Sequence, residues 1–440
     1  MSDVIRPART TAPAATRLIN SGIVWKVLVT FAVCLILPWL FYNYATGRHS
    51  GFMLTMLSQM GMMAIFALSY NMLMGQAGLL SFGHAVFFGL GGYFMIHILN
   101  AAGDGSLPVP IELLPLLSGV GALAVAIVFG YMATRQRATA FAMITMGIGE
   151  LVTTAAMMFH AFFGGEGGVS SNRMIERSLF GLTYSQSVEV YYLIVAWAFI
   201  SIIAMYFLTQ TPLGRMANAC RDNYERVQFM GYDPRFVRFL QFALSGFFAG
   251  IAGGLSAITY EIVTFDSVAA GLSANALLMV FIGGTNVFAG PILGAVLITL
   301  LQSGVSLISN SWLVYVGVMF IGMVTFAPAG LAGMIQMHRP LARSGRLRSL
   351  LVPYARLTVP ILATMLGFVG LVELLSFLTI GAAQGKQLVL FGVRIDVTSS
   401  QPWLIASVLF FVGGVWLLRE AKLFVRVWDG LTFELKGPSA

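Results

Sequence analysis

An all-α polytopic transmembrane helix bundle of about 10–12 membrane elements, some of them broken or half-helices, is the fold class this sequence predicts. Three observations carry the prediction. Of the 440 residues 58% are hydrophobic and 10% charged, with a mean hydropathy of +0.86, far outside the composition of soluble domains. Apolar windows of about 20 residues, the length that crosses a hydrocarbon core, recur along the chain. The 48 glycines and 24 methionines suit close helix crossings and adaptable packing between helices.

The windows fall at Val24–Tyr42, Phe52–Met72, Leu79–Leu99, Ile111–Tyr131, Ala138–Phe163, Val190–Leu208 and Val237–Tyr260, then at Val268–Phe288, Ile292–Ile308, Trp312–Pro328, Val359–Ile380 and Pro402–Leu418. Residues 1–23 read as a polar cytoplasmic tail carrying Arg6, Arg9 and Arg17, followed by a retained first span, since no small-residue cleavage site stands after it. Residues 24–338 form the main transmembrane domain, with a charged segment at 211–238. A basic cytoplasmic loop at 339–358 and a C-terminal extension at 359–440, with two more apolar runs and an interfacial tail, complete the chain. Cys34 lies in the first apolar run and Cys220 in the charged segment, so neither a disulfide framework nor a metal site is expected.

Charge sets the orientation. Arg135 and Arg137, the arginines of 211–238, and Arg339, Arg343, Arg346, Arg348 and Arg356 lie on one side; Glu166, Glu176, Glu189, Glu261 and Asp266 weight the other, where Arg173, Arg177 and Arg48 also stand. The positive-inside rule makes the arginine-rich side, with both termini, cytoplasmic, as for a multi-pass protein of a bacterial inner membrane. The net charge of +8 therefore points to lipid headgroups rather than nucleic acid.

The segment Thr211–Arg238 (TPLGRMANACRDNYERVQFMGYDPRFVR) is charged yet patterned. Met216, Cys220, Tyr224, Val227 and Met230 recur at three- and four-residue steps, predicting one face of a helix. Arg215, Arg221, Asp222, Asn223, Glu225 and Arg226 fall mostly around the rest; Gly231 closes the helix, and Asp233-Pro234 caps the next. An amphipathic helix between spans is how a permease grips a cytosolic motor; the other reading is a helix on the headgroups.

Two glycine-interrupted apolar stretches, Met72–Phe94 and Leu277–Leu297, predict paired broken segments, an internal repeat and unwound backbone beside a solute path. Close helix packing is the plainer use of such glycines.

Specific likenesses lie at GLLSFGHAVFFGLGGYF (Gly78–Phe94), FAMITMGIGELV (Phe141–Val152), FGGEGGVS (Phe163–Ser170), the GR-x5-RDN of Gly214–Asn223 with a following Gly-Tyr, and FIGGTNVFAGPILGAVL (Phe281–Leu297). In that order, from about Phe52 to Leu331, these resemble the branched-chain amino acid ABC permeases, of the LivM-like type. The resemblance implies a LivH-like sister permease, two cytosolic ATP-binding subunits that hold ATP and Mg, and a periplasmic solute-binding protein, with no cofactor, catalytic residue or metal on this chain. The sequence agrees in one respect: no G-x-x-x-x-G-K-[ST] loop occurs, and Gly385-Lys386 is followed by Gln387. It departs in others. Tyr224 stands where the family continues RDN with Glu, Gly231-Tyr232-Asp233-Pro234 resembles the related urea permeases, and about a hundred residues follow the usual end near Leu331.

Candidate path residues are Gln76, Ser81, His84, Glu150, Thr285 and Asn286. Glu150 interrupts an apolar run, where an unpaired carboxylate costs about 2.5–3.5 kcal/mol, so it faces the bundle interior, water or a hydrogen-bonding neighbour. It reads as a gate or latch on one view and as a helix–helix contact on the other. His84 reads as a path residue or, more in keeping with lone intramembrane histidines, as an interhelical contact. His160 is expected at the interface, and Gly164–Arg177 as an outer loop that is either solvated or in contact with a binding protein. Leu418–Leu435 mixes Arg419, Lys422 and Arg426 with Leu423, Phe424, Val427 and Trp428, as a helix resting on the inner leaflet would.

The expected function is that of a permease subunit of an ABC importer for branched-chain or other apolar amino acids, with urea or short amides as the alternative solutes. The competing class is a self-sufficient secondary transporter or channel using Glu150. An enzyme is least expected, since no nucleophile–base or metal constellation is present.

Overall fold

The computed structural model describes residues 21–43, 48–136, 138–175, 177–381, 387–390 and 393–436. Arg6, Arg9, Arg17, Arg137, Glu176 and Gly385-Lys386 lie outside these residues. Helix α1 is Ser21–Leu40, followed by the two-residue strands β1 (Tyr42–Asn43) and β2 (Arg48–His49). Then come α2 (Gly51–Asn71), running into a π turn at Met72–Gln76, α3 (Ala85–Gly103), α4 (Leu114–Ala133), α5 (Ala138–Met158) and the single turn α6 (His160–Phe163). After β3 (Val169–Ser170) follow α7 (Ser187–Gln210), α8 (Pro212–Asp222), α9 (Tyr224–Phe229) and α10 (Pro234–Tyr260). Strand β4 (Ile262–Val263) precedes α11 (Ala270–Gly283), α12 (Gly290–Leu300), α13 (Trp312–Phe326) and α14 (Gly330–Arg343). Last are α15 (Leu351–Ser376), β5 (Gln387–Leu390), β6 (Val393–Asp396) and α16 (Ser400–Lys436). Among the described residues nine helices are long and apolar enough to cross a membrane, or ten if α13 and α14, bent by 45°, count as one span. The protein is an all-α multi-pass membrane bundle.

The chain forms two compact units, 1–69 with 77–272 and 70–76 with 273–440. The first is built on α3, α4 and α10, whose glycines let backbones meet. A methyl group on Gly253 would overlap the Phe88 carbonyl oxygen, and one on Gly91 would overlap Gly250. The Ser118 hydroxyl lies 2.7 Å from Gly91 O and 2.8 Å from Gly250 O, tying α4 to both neighbours. Helices α3 and α10 are 72% and 78% enclosed by their own chain, which makes them the centre of this unit. Their long apolar sides (Phe87, Tyr93, Phe242, Ile251, Leu255) fill the space between the glycine contacts.

Helix α11 and the single turn before it make one apolar span, Phe265–Gly283. It stops at Gly283 because Gly284 takes φ +106°, a value open to glycine, and Gly290 starts α12 after a turn. The predicted Val268–Phe288 span is thus present but ends five residues early, at Gly283. The predicted span Leu79–Leu99 is likewise corrected: Gly78 (φ +66°) opens a non-helical stretch and the helix begins at Ala85. Both glycine-interrupted stretches are thus broken where their glycines stand. Helix α5 ends at Met158, short of the predicted Phe163.

Buried Glu373 on α15 accepts hydrogen bonds from the Ser309 hydroxyl and, on α13, the Tyr315 hydroxyl, so the extension is fastened to the helices before it. The basic segment 339–358 is helical at both ends, and α16 runs unbroken through the tail that sequence set apart as an interfacial helix.

Because the α3–α10 crossing leaves no room for a side chain, Gly253→Ala is expected to lower stability by about 1–3 kcal/mol, read as a drop in melting temperature in detergent. Gly271→Ala, at a position with open space around it, is expected to leave that temperature unchanged or slightly higher.

Candidate coupling and translocation site

The charged segment begins with a cap. Thr211 is extended and its hydroxyl accepts from Gly214 N, Pro212 supplies the first turn of α8, and Gly214 packs on the end of α7 at Leu208–Thr209. Ala217 and Cys220 complete the inward face. Burial pushes the Cys220 thiol above its usual range, so it serves as a small packing group. At Asn223 the chain leaves the helix (φ −155°, ψ 105°) and its Oδ1 accepts from Arg226 N at 3.0 Å, capping α9. Gly231 then turns at φ +84°, and Asp233 accepts from Arg235 N at 2.9 Å to start α10 with Pro234.

This break corrects the single-helix expectation. Cys220 and Val227 point inward and Met216 and Tyr224 are half-buried, but Met230 is exposed, so the five do not form one face. Arg215, Arg221, Asp222, Asn223, Glu225, Arg226 and Gly231 are exposed. The sequence reading missed the most prominent group: Phe229 is 90% exposed, with Met230, Tyr232 and Phe236 exposed nearby. The signal was the apolar residues left over from the helical spacing. The position where the family carries Glu has its own use here, because the Arg238 guanidinium lies 4.9 Å from the Tyr224 ring centroid.

A line of contacts runs from this segment into the membrane part of the same unit. Arg221 packs on Gly78, where a methyl would sit 2.9 Å from its Cγ. From Gly78 the non-helical stretch reaches α5: Phe82 N donates to Thr145 Oγ1 at 3.2 Å, and Gly83 lies so close that any side chain would overlap Thr145 O. Ser81 is buried in this stretch. His84 is fully buried, stacked on Phe66 and 2.9 Å from Ser69 Oγ. Since that hydroxyl donates to Phe66 O, the imidazole Nε2 donates to Ser69 Oγ, which gives His84 the geometry of a helix–helix contact.

Glu150 does not face this chain's interior. It stands on the exposed side of α5 with Met143, Met146, Gly147, Leu151, Thr154 and Met157, one turn from the Thr145–Gly149 clamp. Helices α4 and α7 expose Leu116, Val120, Ile127, Val128, Ile200, Ile203 and Phe207 instead, a surface suited to lipid. In the second unit Gln76 is buried at the end of its π turn, Gly75 packs beside the Thr285 carbonyl, Thr285 is half-buried and Asn286 exposed.

The loop Gly164–Arg177 is held rather than loose. Arg173 donates to the carbonyls of Tyr184 (2.9 Å) and Thr259 (3.1 Å), its backbone N–H reaches Glu261, and β3 pairs with β4. Glu112, which the sequence reading passed over, accepts from Ser178, Leu179 N and the Tyr184 hydroxyl. Burial, and then that carboxylate, push the Tyr184 phenol up. His160 is exposed, at the start of α6.

Losing the Asn223 cap costs about 1 kcal/mol of local helix stability. Asn223→Ala is therefore expected to speed hydrogen exchange at residues 224–229 several-fold while α8 stays protected.

A family profile described as "Branched-chain amino acid transport system / permease component" matches residues 52–339. The chain is 26% identical over 300 residues to the high-affinity branched-chain amino acid transport system permease protein LivM of Escherichia coli (strain K12), covering 63% of this chain and 68% of that one. The LivM protein of Salmonella typhimurium matches at 26% over 299 residues, with the same coverage. The fructose import permease protein FruF of Bifidobacterium longum is 36% identical over 101 residues, 21% of this chain and 28% of that one. No solved structure matches the chain. The matched residues take in the capped charged segment and both broken stretches, and the chain belongs to the branched-chain amino acid transport permease family as a membrane subunit of an ABC-type transport system.

Proposed function

We propose that this chain is one of two permeases in an ABC importer that moves branched-chain or other apolar amino acids across the bacterial inner membrane, with both termini in the cytoplasm. Its partners are a LivH-like permease, two ATP-binding subunits that carry ATP and Mg, and a periplasmic binding protein. The observation that carries this reading is the capped α8–α9 segment, which holds Phe229 and a set of exposed charges away from the bundle. A channel or secondary transporter leaves that construction without a use.

Movement of α8–α9 under the ATP-binding subunit would act on Gly78 through Arg221, and on α5 through the Phe82–Gly83 clamp. Glu150 rides on α5 and lines the solute route, where water or the sister permease satisfies its carboxylate. Gln76, Thr285 and Asn286 offer neutral hydrogen bonds, which suits a zwitterion held by carbonyls and helix ends. The FruF match supports one further reading, a neutral polyhydroxylated solute, which needs the same kind of groups.

Reconstituted with its partners, the wild-type complex is expected to take up leucine only with ATP, and excess fructose or urea should not compete. Phe229→Ser with Met230→Ser should lower uptake at least about tenfold while the fold survives, the loss of one interfacial hot spot. Uptake that persists without ATP, or that ignores these substitutions, contradicts the reading. Glu150→Leu is expected to cut uptake far more than Glu150→Gln, because Gln keeps a polar group on the route; equal activity of both would remove Glu150 from it.

A further inference from the structure

Residues 340–440 lie beyond the part of the chain that the family profile matches, and the reading above gives them no task. They build a hairpin of α15 and α16 that is 17% and 11% enclosed by its own chain, so this chain leaves most of its apolar surface other than the seam uncovered. The seam depends on glycine. Gly367 packs on the backbone of Ala406–Phe410, and a methyl on Gly413 would sit 2.9 Å from Thr364 N. The Tyr354 and Phe424 rings meet at 5.0 Å. These contacts fix one antiparallel register, which places Arg356 of α15 level with Arg419 and Lys422 of α16.

The apolar lengths measured from that level match a bilayer. From Ser400 to Arg419 the helix rises about 28 Å, and from Arg356 to Ser376 about 30 Å, against a hydrocarbon core of about 30 Å. With those lengths in hydrocarbon, Arg356, Arg419, Lys422 and Arg426 stand together among the headgroups. Helix α14 joins them: His338 bonds the Tyr354 hydroxyl and its ring lies 4.9 Å from Trp428, bringing Arg339 and Arg343 alongside. Arg339, Arg343, Arg348, Arg356, Arg419, Lys422 and Arg426 are all exposed and form no ion pair among the described residues. Glu420 and Asp429 are the acids nearby. Immediately toward the hydrocarbon side lie exposed Leu362, Val415, Trp416 and Leu418.

We infer that the joined ends of α14, α15 and α16 form a binding site for anionic phospholipid. Its arginines and Lys422 take the phosphate, its Tyr354–Phe424–Trp428–His338 cluster joins the three helix ends on the side away from the hydrocarbon, and the apolar hairpin receives the acyl chains. Charge beside an apolar surface of membrane length selects a ligand with both parts, in preference to a soluble anion or an acidic protein. Through the His338–Tyr354 contact the site is joined to α14, which precedes the extension.

The test uses the full chain with its partners, extracted in mild detergent, and compares wild type with Arg356→Gln/Arg419→Gln/Lys422→Gln/Arg426→Gln and with a variant carrying Lys at the three arginine positions. Retained phosphatidylglycerol is measured by mass spectrometry, and melting temperature is measured after adding phosphatidylglycerol, phosphatidylcholine or inorganic phosphate. Wild type and the Lys variant are expected to retain phosphatidylglycerol and to be stabilised by it alone. Each removed charge should lower retention about fivefold. If the four-fold variant does not fold, Arg356→Gln alone is expected to show its single step. Equal retention by wild type and every Gln variant would overturn the proposal. So would equal stabilisation by inorganic phosphate, or loss of a protein partner from the Gln variants with lipid retained.

Discussion

The contact on which the first unit most depends is between two backbones inside the membrane: Gly83 against the Thr145 carbonyl, with Phe82 N donating to the Thr145 hydroxyl. Backbone that leaves the helix at membrane depth has no water to satisfy it, so protein has to supply the partners. Thr145 does so for the stretch 78–84, and His84 closes its other end on Ser69. Only glycine at 83 allows the approach. An unwound segment is thereby held in one place between α5 and α8.

The same need explains how the remaining polar groups are arranged. Ser118 serves two carbonyls on neighbouring helices, Arg173 serves the carbonyls of Tyr184 and of Thr259 on α10, and Glu373 collects two hydroxyls. Glu150 stands apart, an exposed carboxylate in a row of methionine, glycine and threonine, while the outward sides of α4 and α7 carry branched and aromatic residues. Even with exposed Leu151 beside it, that carboxylate makes the α5 surface less suited to hydrocarbon than those of α4 and α7.

Much of this was legible in the residues. Window length found the spans, because a membrane imposes a length on a helix, and the glycines at 78 and 284 marked the two breaks. The cap at Asp233 was readable, since a short polar side chain before a proline suits a helix start, whereas the Thr211 cap was passed over. Helical spacing misled at Asn223: the periodicity of Met216 to Met230 runs through a residue whose side chain caps a second helix, and so it turned Met230 outward. Partners distant in sequence could not be read at all. Nothing near Glu112 announces Ser178 and Tyr184, and nothing near Glu373 announces Ser309 and Tyr315, because such pairs exist only once helices pack. The register of α15 on α16, which aligns Arg356 with Arg419, belongs to the same class.

The central claim is that this chain works as one permease of a motor-driven assembly. Its most direct test is affinity purification of the chain expressed with its genomic neighbours in mild detergent, with co-eluting proteins identified by mass spectrometry. The account predicts recovery of a second permease and ATP-binding subunits in stable proportion. A chain that elutes alone, folded and still passing solute in vesicles without ATP, would contradict it.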